Sequence, residues 1–559
     1  MGVSFTAPQA GTASSGSNAG ALSRGAQMLR RSGSRLDELL GSPRSPRAST
    51  GGKHWPDLLA LAKSIEEQLN NQRFDLNYVG PSLKGFSIFS DVASADLLEF
   101  ARLARQDVRA KRAAGALVGL AVADSVGCNF EFLPVGSQGP FFDHKTLRTH
   151  RIFNKFELKA GQWTDDTSMA LCLADSLLLF PHFNGRDMRI RFWNWWNRGY
   201  NNSFRFDQDR SDSVGLGGNV SLSLLAMTSC KAEEVGPRFE GLGEDAGNGS
   251  LMRLAPVPLF FHTDIDLAIR ASAESSYTTH PGTVAADGCA FLGFLLTRAL
   301  TREPRRRETA AHILDEVVSA YLELPEAESQ TKLCRLLRSN EPIGSKERCW
   351  NWRDPRGPFI QETLVARGKY YNGYPMNSDY FGSYCLDGLA LALHSVYHTS
   401  TFMEAIARCI NFLGDADSTG AICGQIAGTI YGIDAVDERL IQRLHPWDQG
   451  EIAIRGFLLY VLGSQISEDA KASARVACSH ALACDMTSEA SIQAPSSPIA
   501  SPDPPLPCDG RPPKLPPACK KPISLHEQHL LHDSATAPNG GSAGRPAKDK
   551  RRGTPKKKK

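Results

Sequence analysis

The chain has 559 residues, of which 41% are hydrophobic and 8% aromatic, enough to bury the core of one large domain or of a few ordinary ones. The net charge of +3 hides an asymmetry: residues 1–56 carry +5, residues 536–559 carry +8, and the body between them carries about −10. An acidic body with basic ends argues against a specific nucleic-acid-binding domain and suits the binding of cations. There is no run of 18 apolar residues, no apolar signal segment and no CxxC pair among the thirteen cysteines. We therefore expect an intracellular, cytoplasmic protein with reduced thiols and no transmembrane segment.

Both ends of the chain have the composition of disordered tails. Residues 1–56 are rich in Ser, Gly, Ala and Arg, and residues 485–559 are rich in Pro, Ser and Lys. The start, Met1-Gly2-Val3-Ser4-Phe5-Thr6, formally fits the N-myristoylation pattern, for which a chance match is the simpler interpretation. The Lys/Arg cluster 548–559 could be a nuclear localisation signal or a solubilising tail, and we favour the tail.

Between these tails the sequence predicts a succession of helices. Apolar residues at helical spacing predict a helical extension over 57–106, which is either an added cap or the first helices of the main domain. The next helix, 110–126, carries Gly115, Gly119 and Ala123 four residues apart, and such small residues let a partner helix approach closely. No useful run with a period of two occurs, so we expect an all-α domain over 107–465. The predicted helices are 57–70, 92–105, 110–126, 167–180, 220–227, 284–300, 308–323, 384–397, 402–412 and 419–431.

Acidic residues cluster at the ends of two of these helices. Asp124 lies near the end of the small-residue helix, and Glu131 follows it. Further on, Thr164-Asp165-Asp166 comes directly before an apolar helix. Asp and Thr here could simply cap that helix. One acid would be sufficient for a cap, however, and two adjacent acids repel each other unless a cation or a buried partner neutralises them. Capping and metal binding both stay open on this motif alone.

Two glycine-rich turns precede helix-like segments, and their backbone N–H groups could bind phosphate. The alternative to phosphate binding is an ordinary surface turn. For the 247–250 turn, the alternative is an ordinary turn with a serine N-cap. A histidine between two predicted helices, His280, is more often structural when alone, but in this company it could stack on a ligand or hydrogen-bond it. The candidate residues of the two turns are Gly215, Gly217, Gly247, Asn248, Gly249 and Ser250.

A second acidic motif, Asp415-Ala416-Asp417-Ser418, lies late in the chain before another small-residue helix. Gly424 and Gly428 in that helix again have the spacing that permits close packing on a neighbour. Carboxylate and hydroxyl oxygens suit Mg²⁺ or Mn²⁺ rather than zinc. A helix cap with solvated carboxylates is again the alternative to metal binding, because a D-x-D motif alone is weak evidence for a metal site.

Taken in chain order, these motifs resemble the ADP-ribosylglycohydrolase family, which includes ADP-ribosyl-acceptor hydrolases and dinitrogenase-reductase-activating glycohydrolases. The family pattern is a small-residue helix with an acid and a later Glu, then W-T-D-D-T, G-N-G-x-x-M-R, T-H and G-D-x-D-[ST]. Five motifs in the right order, over residues 107–460, are specific although each alone is not. The matching segments are Gly115 to Glu131, Trp163 to Thr167, Gly247 to Arg253, Thr279-His280 and Gly414 to Ser418.

The resemblance implies an all-α fold with two Mg²⁺, or Mn²⁺, in a central cleft. Glu131 matches a glutamate that gates or coordinates the site in some members, the 247–250 turn matches a phosphate-contacting loop, and His280 matches a ligand-contacting histidine. Ala123 departs from the pattern, because the family commonly has Gly before the acid matched by Asp124. The residues that match the family's metal ligands are Thr164, Asp165, Asp166, Asp415, Asp417 and Ser418.

The activity implied is Mg²⁺-dependent hydrolysis of the N- or O-glycosidic bond between ADP-ribose and an acceptor, either a protein side chain or a small conjugate. We expect Asp166 or Asp417 to position the attacking water, with Glu131 as a further catalytic candidate, while Asp165 and Asp415 mainly hold metal. The D-A-D-S-T form of the second motif resembles the arginine-directed members. The alternative is an inactive member that binds ADP-ribose or has a structural role. An unrelated dinuclear phosphatase would leave the G-N-G and T-H motifs unexplained.

Overall fold

Helices dominate the computed structural model of this chain, which describes residues 54–70, 81–137, 141–149, 154–228, 230–241, 246–372 and 374–479. The all-α fold expected from the sequence is confirmed. Two hairpins with two-residue strands, β1–β2 and β3–β4, are the exceptions within these ranges, and both are antiparallel. Residues 1–53 and 485–559 of the predicted tails, including the Met1-Gly2 motif and the 548–559 cluster, lie outside the described residues. The last three residues of the first predicted tail, 54–56, instead form the start of the helix His54–Asn70.

The described α-helices are α1 (His54–Asn70), α2 (Ser94–Ala104), α3 (Val108–Gly127), α4 (Asp165–Leu179), α5 (Gly185–Arg198), α6 (Gly218–Leu225), α7 (Pro256–Phe260), α8 (Ile265–Tyr277), α9 (Thr283–Thr301), α10 (Ala310–Leu322), α11 (Thr331–Arg338), α12 (Ile360–Arg367), α13 (Cys385–Tyr397), α14 (Phe402–Ile410), α15 (Ala416–Tyr431), α16 (Glu438–Asp448), α17 (Glu451–Gly463) and α18 (Glu468–Ala477). The strands are β1 (Phe142–Asp143), β2 (Arg148–Thr149), β3 (Tyr370–Tyr371) and β4 (Tyr374–Pro375).

Helices α3 and α15 form the central pair of the fold, and glycines bring their backbones into contact. A Cβ on Gly119 would lie 2.5 Å from the carbonyl oxygen of Gly424, and one on Gly428 would lie only 1.9 Å from that of Gly115. The start of α3 therefore packs on the end of α15, so the two helices are antiparallel. At the other end of this seam, a Cβ on Gly127 would lie 2.6 Å from the Cα of Asp417. The seam thus brings the C-terminal end of α3 to the acidic start of α15.

The remaining helices surround this pair and share its core. Leu58, Ile65 and Phe100 of α1 and α2 are fully buried within the same hydrophobic cluster as α3 and α15. The helical segment before the main domain is therefore packed into its core rather than standing apart. Helix α9 is long and apolar enough to cross a membrane by composition, but 83% of its apolar window is buried inside the protein. Burial to this extent is typical of a core helix.

The sequence prediction differs from the structure after the second glycine-rich turn. We expected that turn to open a helix with Ser250 as a possible N-cap. Instead Asn248–Ser250 is a single 3₁₀ turn, and α7 begins only at Pro256. The hydroxyl of Ser250 is buried and accepts hydrogen bonds from Ser276 (2.9 Å) and Cys289 (3.4 Å). Ser250 therefore fixes the turn to α8 and α9 and does not cap a helix.

Candidate active site

The Thr164-Asp165-Asp166 turn is held by a carboxylate from another helix. Asp124, near the end of α3, accepts hydrogen bonds from the backbone N–H groups of Thr164 (3.0 Å) and Thr167 (3.1 Å). It also accepts from the hydroxyl groups of the same two threonines, at 2.9 and 2.6 Å. Since Asp124 is fully buried, these donors replace the water that an ionised carboxylate would otherwise bind. Asp124 thereby caps the start of α4, a role that Asp165 or Asp166 could have had on the sequence alone.

The capping alternative is consequently not supported for either acidic motif. Thr164 is the N-cap residue of α4 and Asp415 that of α15, and neither side chain makes a capping hydrogen bond. Asp165 and Asp166 occupy the first turn of α4, where the helix dipole favours negative charge. Both are buried. The acids of these two motifs are therefore available for another purpose.

The second motif is fixed by three separate chain segments. Gly414 adopts a left-handed φ of 68°, and a Cβ there would lie 2.4 Å from the carbonyl oxygen of Phe381. The backbone N–H of Asp415 donates to Phe381 (3.0 Å), and that of Phe132 donates to Gly414 (2.9 Å). The amide of Asn248 donates to Asp415 Oδ2 at 2.8 Å. The 247–250 turn is thus tied directly to the predicted metal ligands.

Three carboxylates converge where α3 ends and α15 begins. Glu131, Asp415 and Asp417 each offer an oxygen, and these oxygens lie within 4.8 Å of one another. All three residues are buried. The hydroxyl of Tyr380 lies 3.5 Å from Glu131 Oε1, and its ring stacks on Phe132 at 5.4 Å between centroids. Three hard oxygen ligands at this spacing can hold a divalent cation.

The protein alone makes ionisation of this cluster unfavourable. Burial, followed by repulsion from Asp417, raises the pKa of Glu131 and of Asp165 well above the ordinary range. Burial and repulsion from Asp124 do the same to the pKa of Asp166. The pKa of Asp417 is raised to about 8 by burial and by Asp415. Nearby carboxylates of this kind ionise together only when positive charge is supplied.

Side chains of the described residues do not supply that charge. No Lys, Arg or His in the described part of the chain forms an ion pair with Asp124, Glu131, or the aspartates of the two motifs. Glu131 Oε2 and Asp166 Oδ1 are buried oxygens without a hydrogen-bond partner in the protein. Orphaned buried carboxylate oxygens are costly, and metal coordination satisfies them. The residues present therefore fit a divalent metal site.

The other predicted site residues lie around this cluster at different distances. Gly215 abuts the first motif, since a Cβ there would lie 2.2 Å from Asp165 Oδ1. Gly217, by contrast, is exposed at the start of α6 with no atom near its Cβ position. Gly249 contacts His280, whose Cε1 would lie 3.0 Å from a Cβ at position 249. Ser418, in the first turn of α15, places its hydroxyl 3.6 Å from the sulfur of Met252.

The sequence model of the ADP-ribosylglycohydrolase family matches residues 105–469, which include all of these site residues. This chain belongs to the ADP-ribosylglycohydrolase family. It is accordingly a glycosidase of the class that hydrolyses linkages between ADP-ribose and an acceptor. Helices α1 and α2 lie before the family match.

Three relatives illustrate what this ADP-ribosylglycohydrolase is similar to. It is 28% identical to the ADP-ribosylarginine hydrolase Tri1 of Pseudomonas putida (strain GB-1), over 60% of this chain and 75% of the relative. It is 26% identical to the ADP-ribosylhydrolase ARH3 of Danio rerio, over 60% of this chain and 87% of the relative. It is 25% identical to the ADP-ribosyl-[dinitrogen reductase] glycohydrolase of Rhodospirillum rubrum, over 61% and 92%. One of these names specifies an arginine linkage, one specifies the protein dinitrogen reductase, and one specifies no acceptor.

Sequence reasoning gave too little weight to two residues of this ADP-ribosylglycohydrolase and missed a third. Asp124 was noted only as the acid of the small-residue helix, yet it organises the whole first motif. Asn248 is predicted to contact phosphate as part of the 247–250 turn, and its side-chain amide in addition donates to Asp415 and to the carbonyl of Gly382. Tyr380 comes from a loop in which the sequence singled out no motif. Only its position three residues before the backbone contact of Ser383 and Tyr384 with the glycine turn reveals it, and that contact requires the fold.

Proposed function

We propose that this ADP-ribosylglycohydrolase uses two Mg²⁺ ions to release ADP-ribose from ADP-ribosylated arginine side chains. The observation that carries the metal part is the state of the two acidic motifs. Their carboxylates are buried, are not helix caps, and have no cationic partner among the described residues. Mn²⁺ has the same preference for hard oxygen ligands and could replace Mg²⁺.

The predicted metal ligands form two sets, one for each ion. Thr164, Asp165 and Asp166 lie at the start of α4, and the second set lies at the start of α15. Glu131 joins the second set through the oxygens it places near Asp415 and Asp417. Two divalent ions would bring four positive charges to the five carboxylates of these sets. When bound, they would orient the ribose hydroxyl groups and lower the pKa of the attacking water.

Carboxylates of the chain position the attacking water and accept its proton. Hydrolysis adds the oxygen of water to the anomeric carbon, breaks the bond to the acceptor nitrogen, and leaves the proton on that nitrogen. A carboxylate oxygen must accept the proton of the attacking water. Asp166 Oδ1 and Glu131 Oε2 are the two buried carboxylate oxygens of the motifs without a protein donor. We assign the positioning of water to Asp166, with Asp417 and Glu131 as its neighbours in the same cluster.

Arginine as the acceptor rests on two observations. The second motif reads Asp415-Ala416-Asp417-Ser418-Thr419, the form that resembles arginine-directed members. A relative with 28% identity is named an ADP-ribosylarginine hydrolase. The substrate would therefore be an ADP-ribosylated protein or a small ADP-ribosyl-guanidine conjugate. Serine-linked ADP-ribose, O-acetyl-ADP-ribose and poly(ADP-ribose) are the competing linkages.

The test is a panel of these defined conjugates incubated with the purified enzyme, with and without Mg²⁺, and chromatography of released ADP-ribose. We expect release from the arginine conjugate in Mg²⁺ and none in EDTA. Asp166→Asn and Asp415→Asn should lower the rate by about 10²-fold or more, because each removes a group of the charged centre. Asp91→Asn, which changes an exposed aspartate in the same way, should keep the full rate.

Four outcomes would count against parts of the proposal. Equal release in EDTA would exclude the metal requirement. Full activity of Asp166→Asn and Asp415→Asn would mean that the site is misassigned. Release from serine or polymer linkages alone would replace the acceptor, and ADP-ribose binding without release from any conjugate would indicate a member that has lost turnover.

A further inference from the structure

Arg253 is a buried cation that makes no ion pair with a described carboxylate, although the charge of Asp165 acts on it. It is fully buried and stacks on the ring of Phe192 at 4.5 Å. No described residue forms an ion pair with it. Burial lowers its pKa to about 10, which leaves it positively charged near neutral pH. A buried charge without an ion-pair partner is unfavourable unless hydrogen bonds replace the water that it has lost.

The guanidinium of Arg253 donates to two adjacent hydroxyl groups. Its Nη2 lies 2.7 Å from Thr279 Oγ1 and 3.1 Å from Thr278 Oγ1. The Thr278 hydroxyl passes its own hydrogen to the carbonyl of Ser275 at 2.6 Å. The Thr279 hydroxyl lies 2.8 Å from His280 Nδ1. Both hydroxyls therefore accept from the same cation, but only that of Thr279 reaches the histidine.

This geometry decides which nitrogen of His280 carries the proton. A guanidinium can only donate, so Thr279 Oγ1 accepts from Arg253. His280 Nδ1 is the acceptor that the structure offers to the hydroxyl hydrogen of Thr279. If Nδ1 carried a proton instead, the hydroxyl hydrogen of Thr279 would be buried without an acceptor, because Thr279 is fully buried. Nδ1 must therefore accept, which leaves the proton on Nε2.

His280 is neutral as well as oriented. Burial, with a further contribution from Arg253, lowers the pKa of its imidazole to about 3. The ring thus offers one N–H donor and no positive charge at neutral pH. The edge carrying Nε2 faces the glycine turn, since Nε2 would lie 3.3 Å from a Cβ on Gly249. Gly249 leaves room there, and neighbouring Asn248 is bonded to the metal-ligand candidate Asp415.

We propose that Arg253 and Thr279 are positioning residues that hold His280 in the Nε2–H tautomer, so that it presents a neutral N–H donor to an acceptor atom of the ADP-ribosyl group at the 247–250 turn. The part concerning the ligand rests on the function proposed above, whereas the tautomer does not. Thr279 relays the orientation, and Arg253 ensures that the threonine hydroxyl points its hydrogen toward Nδ1.

The matched pair Thr279→Val and Thr278→Val separates this role from packing. Both changes remove a buried hydroxyl that accepts from Arg253, and both keep the volume of the side chain. Only Thr279→Val removes the donor to Nδ1. Thr279→Ser restores that hydroxyl and is the conservative rescue. Two readouts are used: nitrogen-15 NMR of ¹⁵N-histidine-labelled protein, with the His280 signals assigned by His280→Gln, and ADP-ribose affinity in Mg²⁺ by calorimetry.

We expect the wild type, Thr278→Val and Thr279→Ser to give the Nε2–H pattern and equal ADP-ribose affinity. Thr279→Val should show the other tautomer or a mixture, with roughly a ten-fold loss of affinity for ADP-ribose. Arg253→Met, whose flexible apolar side chain fills much of the same space, should also give a mixed tautomer.

The proposal is overturned if Thr279→Val keeps both the Nε2–H pattern and the affinity of Thr278→Val. A tautomer change without any loss of affinity would remove the role in ligand binding. If the wild type binds no ADP-ribose, the proposed function fails and the ligand half of this inference fails with it. The NMR result would still decide the tautomer in that case.

Discussion

Asp124 shows how one buried side chain can determine the geometry of a distant motif. It lies on α3, yet its two oxygens receive four hydrogen-bond donors from Thr164 and Thr167 at the start of α4. These bonds hold its pKa to about 6 although complete burial pushes it upward. Because Asp124 accepts these backbone N–H groups, Asp165 and Asp166 are not needed to cap α4. It acts through the first motif, so we regard it as a positioning residue.

Replacing Asp124 by Asn should therefore distort the first motif. An amide has one accepting oxygen, so its NH₂ group would face a threonine donor with nothing to accept that donor's hydrogen. We expect a loss of about 1–3 kcal/mol in the free energy of unfolding and a weaker response to Mg²⁺. Urea denaturation and Mg²⁺ titration of the melting temperature measure these effects.

Ser125→Ala is the control for Asp124→Asn. The Ser125 hydroxyl on the same helix only donates to the carbonyl of Val122, at 3.0 Å. Its removal should change unfolding by less than about 1 kcal/mol and leave the Mg²⁺ response intact. Equal behaviour of the two variants would show that the Asp124 hydrogen bonds do not organise the motif.

At the level of elements, the glycine seam between α3 and α15 sets the spacing of the acids. A Cβ at Gly424 would lie 2.2 Å from the carbonyl oxygen of Gly119, and backbone atoms cannot rotate away. Gly424→Ala should therefore separate the helices and move Asp417 relative to Asp124. We expect destabilisation of about 1–3 kcal/mol, the usual cost of overpacking, together with reduced Mg²⁺ affinity.

The matched control for the seam is Gly85→Ala. Gly85 has no atom within 4 Å of its Cβ position, so the same chemical change meets open space. Its stability should be unchanged or slightly higher, because alanine restricts the unfolded chain. Calorimetric melting of both variants decides the matter. If Gly424→Ala melts with the wild type, close packing of α3 on α15 is not what the fold requires.

The elements also show what sequence patterns could and could not predict. Gly115, Gly119, Gly424 and Gly428 indicated closely packed helices, although the sequence did not say that they pack on each other. Helix α5 was missed. Its buried face carries Arg191, which is paired with Asp187 at 2.6 Å, so polar residues interrupt the apolar period. Helices α16 and α17 were also missed, and Pro446 lies inside α16.

The candidate site likewise has features that the sequence predicts and features that it does not. Acidic motifs before helices can be recognised in a sequence, because the residue types and spacing are local. The hydrogen bonds of Asp124 to Thr164 and of Asn248 to Asp415 join residues far apart in the chain. The same holds for the contact of Tyr380 with Glu131. Such pairings depend on how helices meet, and no local pattern encodes them.

For the whole molecule, the buried acids make stability depend on pH in a definite direction. The pKa values of Glu131, Asp165 and Asp166 are raised well above their usual range and that of Asp417 to about 8, mainly by burial. The folded protein without metal therefore holds protons that the unfolded chain releases near pH 4. The stability contributed by these groups is fully present below about pH 4. It is lost as the pH rises through the folded-state values.

A divalent cation should oppose this loss, because it binds the ionised carboxylates and competes with protons. We expect the melting temperature in EDTA to fall between about pH 6 and pH 8.5, and the increase caused by Mg²⁺ to be larger at the higher pH. At a free Mg²⁺ concentration a hundred times Kd, the gain is about 2.7 kcal/mol per ion. Thermal melts over a pH and Mg²⁺ grid test this, with Asp91→Asn as a control that should follow the wild type. An Mg²⁺ effect that shrinks as the pH rises would mean that the ion binds elsewhere than at these carboxylates.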